Sequence, residues 1–309
     1  MNMLHSLRAI KPRFLGVAAK GIAIVLVLYV ALSVFGAIAI MEIPRLPLKG
    51  SPDSVGLTYE DVSFTSRDDR VVLRGWYIPT EGDSALIFVH GGFEDRVDDV
   101  VDTLHLAHDL AQKGFDLLLF DLRGRGESEG KGHALSNIER DIGGAVDYLK
   151  NRGYSASRIG IIGFCSGAAS ACIFASHESI GSLVLDGCFT SVHNMVARQA
   201  AQRRIPEFLL NSFISGVALA VKAIYGYHAV NPIDVVAEVT CPIFFIHEEY
   251  DDLISLEDTY QLFKASDNPA NMLWEISGAR HSEAYKTYPS EYVERVANFL
   301  STTMGTTPR

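Results

Sequence analysis

Six short apolar runs set the strongest constraint on the fold of this chain: "ALIFVH" (85–90), "FDLLLFD" (115–121), "RIGIIGF" (158–164), "GSLVLDG" (181–187), "PIFFIH" (242–247) and "NMLWEI" (271–276). Consecutive rather than alternating apolar positions require strands covered on both faces. Between several of them lie "DDVVDTLHLAHDLAQKG" (98–114) and "SNIERDIGGAVDYLKNRG" (136–153), with "SEYVERVANFLSTT" (290–303) after the last; all three have the spacing of amphipathic helices. Strands alternating with helices give an α/β fold, a mostly parallel central sheet flanked by helices with right-handed crossovers. Upstream, "GLTYEDVSFTS" (56–66) and "VVLRGWYIPT" (71–80) alternate apolar and polar residues around "RDD", the pattern of an antiparallel hairpin.

One interval breaks the rhythm. Residues 189–240 separate two strands and contain "IPEFLLNSFISGVALAVKAIYG", interrupted by Pro206, Ser212, Ser215 and Lys222. A helical cap insertion walling a substrate pocket is expected there rather than a second membrane span.

The N-terminal residues belong to a different solvent. Residues 21–41, "GIAIVLVLYVALSVFGAIAIM", carry no charge, and about 20 such residues suffice for a helix to cross a hydrocarbon layer. A cleaved signal peptide and a buried helix are the competing readings; Ala37 and Ala39 would make a small-x-small cleavage site. The run is longer than the ~7–15 residues of a signal's apolar region, and only Tyr29 and Ser33 interrupt its apolar face, so a transmembrane helix is favoured. Arg8, Lys11, Arg13 and Lys20 precede the run, and the first acidic residue is Glu42. The positive-inside rule keeps the N-terminus cytoplasmic and puts the rest outside the cytoplasm. The layout expected is a tail (1–20), a single transmembrane helix (21–41), a proline-containing tether (42–55) and a catalytic domain (56–305). Beyond residue 41 there are 23 Lys and Arg against 37 Asp and Glu, a formal charge of −14. Nucleic acid as a partner is excluded by charge repulsion.

Four cysteines lie beyond the apolar run. Cys188 follows one apolar strand and Cys241 precedes another. In parallel neighbouring strands that separates them by roughly 17–20 Å, far beyond the ~7 Å limit for a disulfide. Cys165 is different. In "IGIIGFCSGAAS" (159–170) it sits where a strand runs into a helix, flanked two positions away by Gly163 and Gly167. A strained strand-to-helix elbow demands small residues at those two positions; Ser166 as the elbow residue would have Phe164 and Ala168 instead. A helix N-terminus beside a protonated histidine also favours a thiolate.

These segments resemble the alpha/beta-hydrolase superfamily over about residues 56–305. "IFVHGG" is similar to the family's strand and oxyanion loop, and "FDLRGRGESEG" to its D-x-R-G-x-G-x-S segment. "RIGIIGFCSGAAS" is similar to its nucleophile elbow, "PIFFIHEEYDDLIS" to the segment of the catalytic acid, and "ISGARHSEAY" to the loop of the catalytic histidine. The elbow reads G-x-C-x-G, like that of dienelactone hydrolases. The resemblance implies Cys165 as nucleophile, Asp251 as acid and His281 as base. Asp252 and Asp186 are rival acids. Glu248 and Ser255 stand where the family has glycine and proline.

An oxyanion formed at such a site needs two N–H donors. The backbone of Ser166 supplies one and that of Gly92 the other, with Phe93 as the alternative. His90 and Asp121 are read as loop-fixing residues; Glu94 either tunes the thiol or is a solvated loop charge. No metal-ligand spacing and no glycine-rich phosphate loop occurs, so no cofactor is expected. The reading is a membrane-anchored hydrolase that cleaves a small-molecule ester or thioester through an acyl-cysteine intermediate. A peptidase on the same fold, or an inactive binding protein, are the alternatives. Oligomeric state does not follow from the sequence.

Overall fold

A computed structural model of the chain describes residues 12–132, 137–227 and 229–305. The sheet has eight strands among the described residues: β1 (Glu60–Thr65), β2 (Val72–Ile78), β3 (Ala85–Val89), β4 (Asp116–Phe120), β5 (Ile159–Phe164), β6 (Ser182–Asp186), β7 (Ile243–Glu248) and β8 (Met272–Ile276). Their order is β1-β2-β4-β3-β5-β6-β7-β8. β1 pairs antiparallel with β2, and β2 with β4; all later pairs are parallel. All six apolar runs become strands, and the alternating pair becomes the edge hairpin. The physical reason is visible in burial: every residue of β3, β4, β5, β6 and β7 is buried, as continuous apolar strands require.

The helices are α1 (Pro12–Met41), α2 (Thr103–Gln112), α3 (Ile138–Asn151), α4 (Ser166–Ala175), α5 (Val192–Gln202), α6 (Glu207–Tyr225), α7 (Pro232–Val235), α8 (Leu256–Ala265), α9 (Ala284–Thr287) and α10 (Pro289–Met304). They divide the core in two. One apolar cluster joins α3 and α4 to residues such as Ile87, Leu118, Ile161 and Phe245. The other joins α2 and α10 to Leu86, Leu117, Ile162 and Phe244. Side chains alternate along each strand, so neighbours such as Leu86 and Ile87 serve opposite faces.

By contacts the chain forms two compact units. Among the described residues, one comprises 12–39 with 207–227, the other 40–206 with 229–305. The inserted interval therefore divides: α5 and α7 belong to the sheet-centred unit, whereas α6 groups with α1. Within α1, Gly16–Met41 is long and apolar enough to cross a bilayer, which fits a membrane span or a signal sequence. The helix begins before the uncharged run, since Lys20 continues it rather than ending it.

Candidate active site

The elbow forms at the end of β5. Cys165 has φ 52° and ψ −118°, a backbone state that costs about 1–3 kcal/mol for a non-glycine residue. The two glycines permit it. A Cβ on Gly163 would lie 2.7 Å from Ala168 Cα, and one on Gly167 would lie 2.8 Å from the Val89 carbonyl carbon. The Cys165 amide donates to the Asp186 carbonyl at 2.9 Å, and the Cys165 carbonyl accepts from Ala169 at 3.1 Å, opening α4. Cys165 is partly exposed; Cys172, Cys188 and Cys241 are buried, and all four are free thiols. Burial pushes Cys172 and Cys241 up to about 12 and Cys188 up as well, so these three are protonated and inert.

Asp251 and His281 meet across the loops that follow β7 and β8. The His281 Nδ1 to Asp251 Oδ2 distance is 2.6 Å. The other carboxylate oxygen, Oδ1, accepts from the amides of Leu253 and Ile254, each at 2.8 Å, so the turn itself aims the acid. Arg198 of α5 donates to the Asp251 carbonyl at 2.9 Å. The neighbouring Asp252 is exposed, leaving Asp251 as the acid joined to the ring.

Burial alone would lower the His281 pKa. The hydrogen bond to Asp251, a like influence of the Cys165 thiol and the charges of both outweigh it and push the ring up to about 11. His281 Nε2, the nitrogen turned from Asp251, is buried with no hydrogen bond of ordinary geometry. The ring is thus tied to the carboxylate on one side and under the influence of the sulfur on the other.

The rival acid Asp186 has another partner. Tyr292 of α10 donates to its Oδ2 at 2.8 Å. Its Oδ1 and both oxygens of Glu248 are buried with no other partner, and the two carboxyls bear directly on one another. Burial, then repulsion from Asp186, drives the Glu248 pKa well up. A protonated Glu248 can donate to Asp186, which satisfies both. Oxygens of Glu248 and Asp251 and a ring nitrogen of His281 all lie within 4.8 Å of one another, so a neutral Glu248 leaves Asp251 as the only negative partner of the ring in that trio. Sequence reasoning recorded Glu248 as a departure and missed this role; an acid at the end of an otherwise apolar strand was the signal. The second departure resolves locally. Ser255 caps α8, its Oγ accepting from the Asp258 amide at 3.1 Å while its own amide donates to the Asp258 carboxylate at 3.3 Å, a reciprocal capping box.

The loop after β3 is fixed in the manner expected of His90 and Asp121. The Leu122 amide donates to His90 Nε2 at 3.1 Å, and Nδ1 lies 2.8 Å from the Gly91 carbonyl. Burial holds that ring neutral, at about 3. Asp121 accepts from the amides of Arg96 and Glu127 at 2.9 and 2.8 Å. Arg125, which sequence reasoning did not single out, is buried and donates from Nη2 to the Gly92 carbonyl at 2.6 Å. That bond fixes the peptide joining Gly92 and Phe93, the two candidates for the second oxyanion donor. The first, the amide of Ser166, opens α4, where backbone N–H groups are free of helical partners. Glu94 faces Asp98, Lys49 and Asp99, the surroundings of a loop charge.

Comparisons with known proteins agree with this fold. A family model described as the alpha/beta hydrolase fold matches residues 84–272. The esterase Pf2001 of Pyrococcus furiosus is similar in structure, with a TM-score of 0.72 at 25% identity, covering 86% of this chain and 98% of that one. The protein YqkD of Bacillus subtilis is 27% identical over 234 residues, 74% of this chain and 75% of its own. YfhR of Salmonella typhi is 26% identical over 271 residues, 80% and 82% respectively.

Proposed function

Since the chain belongs to the alpha/beta hydrolase fold family, we propose that it is a membrane-anchored hydrolase of carboxylic esters or thioesters, with Cys165 as nucleophile, His281 as acid and base, and Asp251 as the group that orients the ring. The observation that carries this reading is the 2.6 Å pair of Asp251 and His281 in company with a partly exposed sulfur on a strained elbow. Similarity to an esterase over most of both chains supports ester chemistry over the alternatives.

At neutral pH the ring carries its proton, so the acid needed for the leaving group is in place before substrate arrives. The sulfur attacks the acyl carbon and the carbonyl oxygen becomes an oxyanion, held by the amides of Ser166 and Gly92. Collapse breaks the bond to the leaving oxygen or sulfur, which takes the proton from His281. The neutral ring then draws a proton from water, whose oxygen attacks the thioester; release of the acid restores the sulfur and the protonated ring. Asp251 stabilises the charged ring throughout. The helix α1 would anchor the enzyme, its N-terminal side cytoplasmic and its catalytic domain outside.

Cys165→Ala should lower turnover of a short p-nitrophenyl ester by at least about 10³-fold, the scale on which triad members act. An undiminished rate in the folded variant would remove the nucleophile assignment.

A further inference from the structure

We propose that α6 is a second lipid-facing helix, packed against α1 within the membrane. This rests on the reading of α1 as a retained membrane helix and extends it to a segment whose sequence suggested a cap.

Two observations carry the proposal. The first is composition: from Phe208 to Tyr225 the only charge is Lys222, and this span is long and apolar enough for a bilayer, with only 22% of it buried. A core helix of a water-soluble domain would be mostly buried.

The second is the way the helices meet. Tyr29 Oη donates to the Ser212 carbonyl at 2.7 Å. A Cβ on Gly36 would lie 2.9 Å from both Phe213 Cζ and Val217 Cγ2, and one on Gly216 would lie 2.6 Å from Tyr29 Oη and collide with Ser33 Oγ. Ala37, Val217 and Ala220 fill the rest of the seam. The contacts join residues 29, 33 and 36 of α1 to 212, 213, 216 and 217 of α6. The large apolar side chains point away: Phe35 is 71% exposed, Phe208 70% and Leu219 68%. Glycines at the closest contacts let the two backbones approach, and large apolar side chains cover the outer surface. This is the arrangement that stabilises helices in lipid, where no hydrophobic force drives them together and close approach must suffice. The hydroxyls on α6 are satisfied within the helix: Ser212 donates to the Phe208 carbonyl at 2.9 Å and Ser215 to Asn211 at 2.8 Å, as a medium without water demands.

The pairing also bears on cleavage, because removing α1 as a signal peptide would strip the seam from α6.

The test uses the full chain in native membranes, with single substitutions read by peptide mass spectrometry after treatment with a membrane-impermeant maleimide. Leu28→Cys and Leu219→Cys should both lose labelling in intact membranes and gain it in denaturing detergent. Labelling of Leu219→Cys with Leu28→Cys still protected overturns the proposal and leaves the anchor standing; labelling of both removes the anchor as well. Disulfide-linked dimers through Leu219→Cys would show a second copy covering that face, which also overturns it. The double variant Ser33→Cys with Gly216→Cys should form an intrachain disulfide; its absence under oxidation contradicts the pairing.

Discussion

The sheet-centred unit and the α1–α6 pair draw on the same apolar residues and place them oppositely. In the first, Leu86, Leu117, Ile161 and Phe244 are fully buried; in the second, Ile22, Val25, Leu26 and Leu219 are between 60% and 69% exposed. Apolar character alone therefore does not locate a residue in the fold. On the proposed reading, what separates the two regions is the partner each surface is built for: helices laid over a sheet, or hydrocarbon. Polar groups follow the same division. In the sheet-centred unit they concentrate at the ends of β5, β6 and β7, where Cys165, Asp186 and Glu248 stand. In the helix pair, Tyr29 and Ser33 meet α6 at the seam.

A lysine introduced into each region breaks this comparison most severely if it is wrong. Leu86→Lys places an unpaired charge in the core and should cost several kcal/mol, enough to abolish cooperative unfolding and all activity in a calorimetric and kinetic assay. Next in size, Asp251→Asn should leave the fold intact and lower kcat by about 10²–10⁴-fold by releasing the ring from its tautomer and orientation. Leu26→Lys should cost membrane insertion roughly 2.5–3.5 kcal/mol, read as protein lost from the membrane fraction, while the melting temperature of the catalytic unit stays unchanged. If Leu26→Lys instead lowered that temperature as Leu86→Lys would, the two regions would be one.

The smallest effect is a pH dependence. His281 has its pKa raised from 6.5 to about 11, so the stabilisation from its protonated form is full below pH 6.5 and fades as pH rises toward 11. The difference in melting temperature between the native chain and His281→Gln should shrink across that window, by a few degrees at most on the scale of 2–4 °C per kcal/mol. A difference that grew with pH would contradict the assigned charge state.

Much of this was legible in the sequence because it is written locally. Six apolar runs, the glycines beside Cys165 and the order of Cys165, Asp251 and His281 each depend on neighbours within a few positions. The remainder depends on residues far apart. Tyr29 meets Ser212 across 183 positions, and nothing in either segment announces the other. In the sequence the serines of α6 look like interruptions; in the fold Ser212 and Ser215 bond back along the helix. Glu248 was visible as an oddity, yet only the pairing of β6 with β7 brings it to Asp186. Arg125 lies in a motif whose glycines drew attention first, and its bond to Gly92 joins two loops 33 residues apart.

The most direct measurement is an acid quench of the enzyme within a turnover of a p-nitrophenyl ester, followed by peptide mass spectrometry. The account requires the mass of the acyl group on the peptide carrying Cys165, with the modification mapped to the sulfur and absent from the Cys165→Ala chain. Turnover with that sulfur unmodified, or an acyl group mapped instead to Ser166, would contradict it.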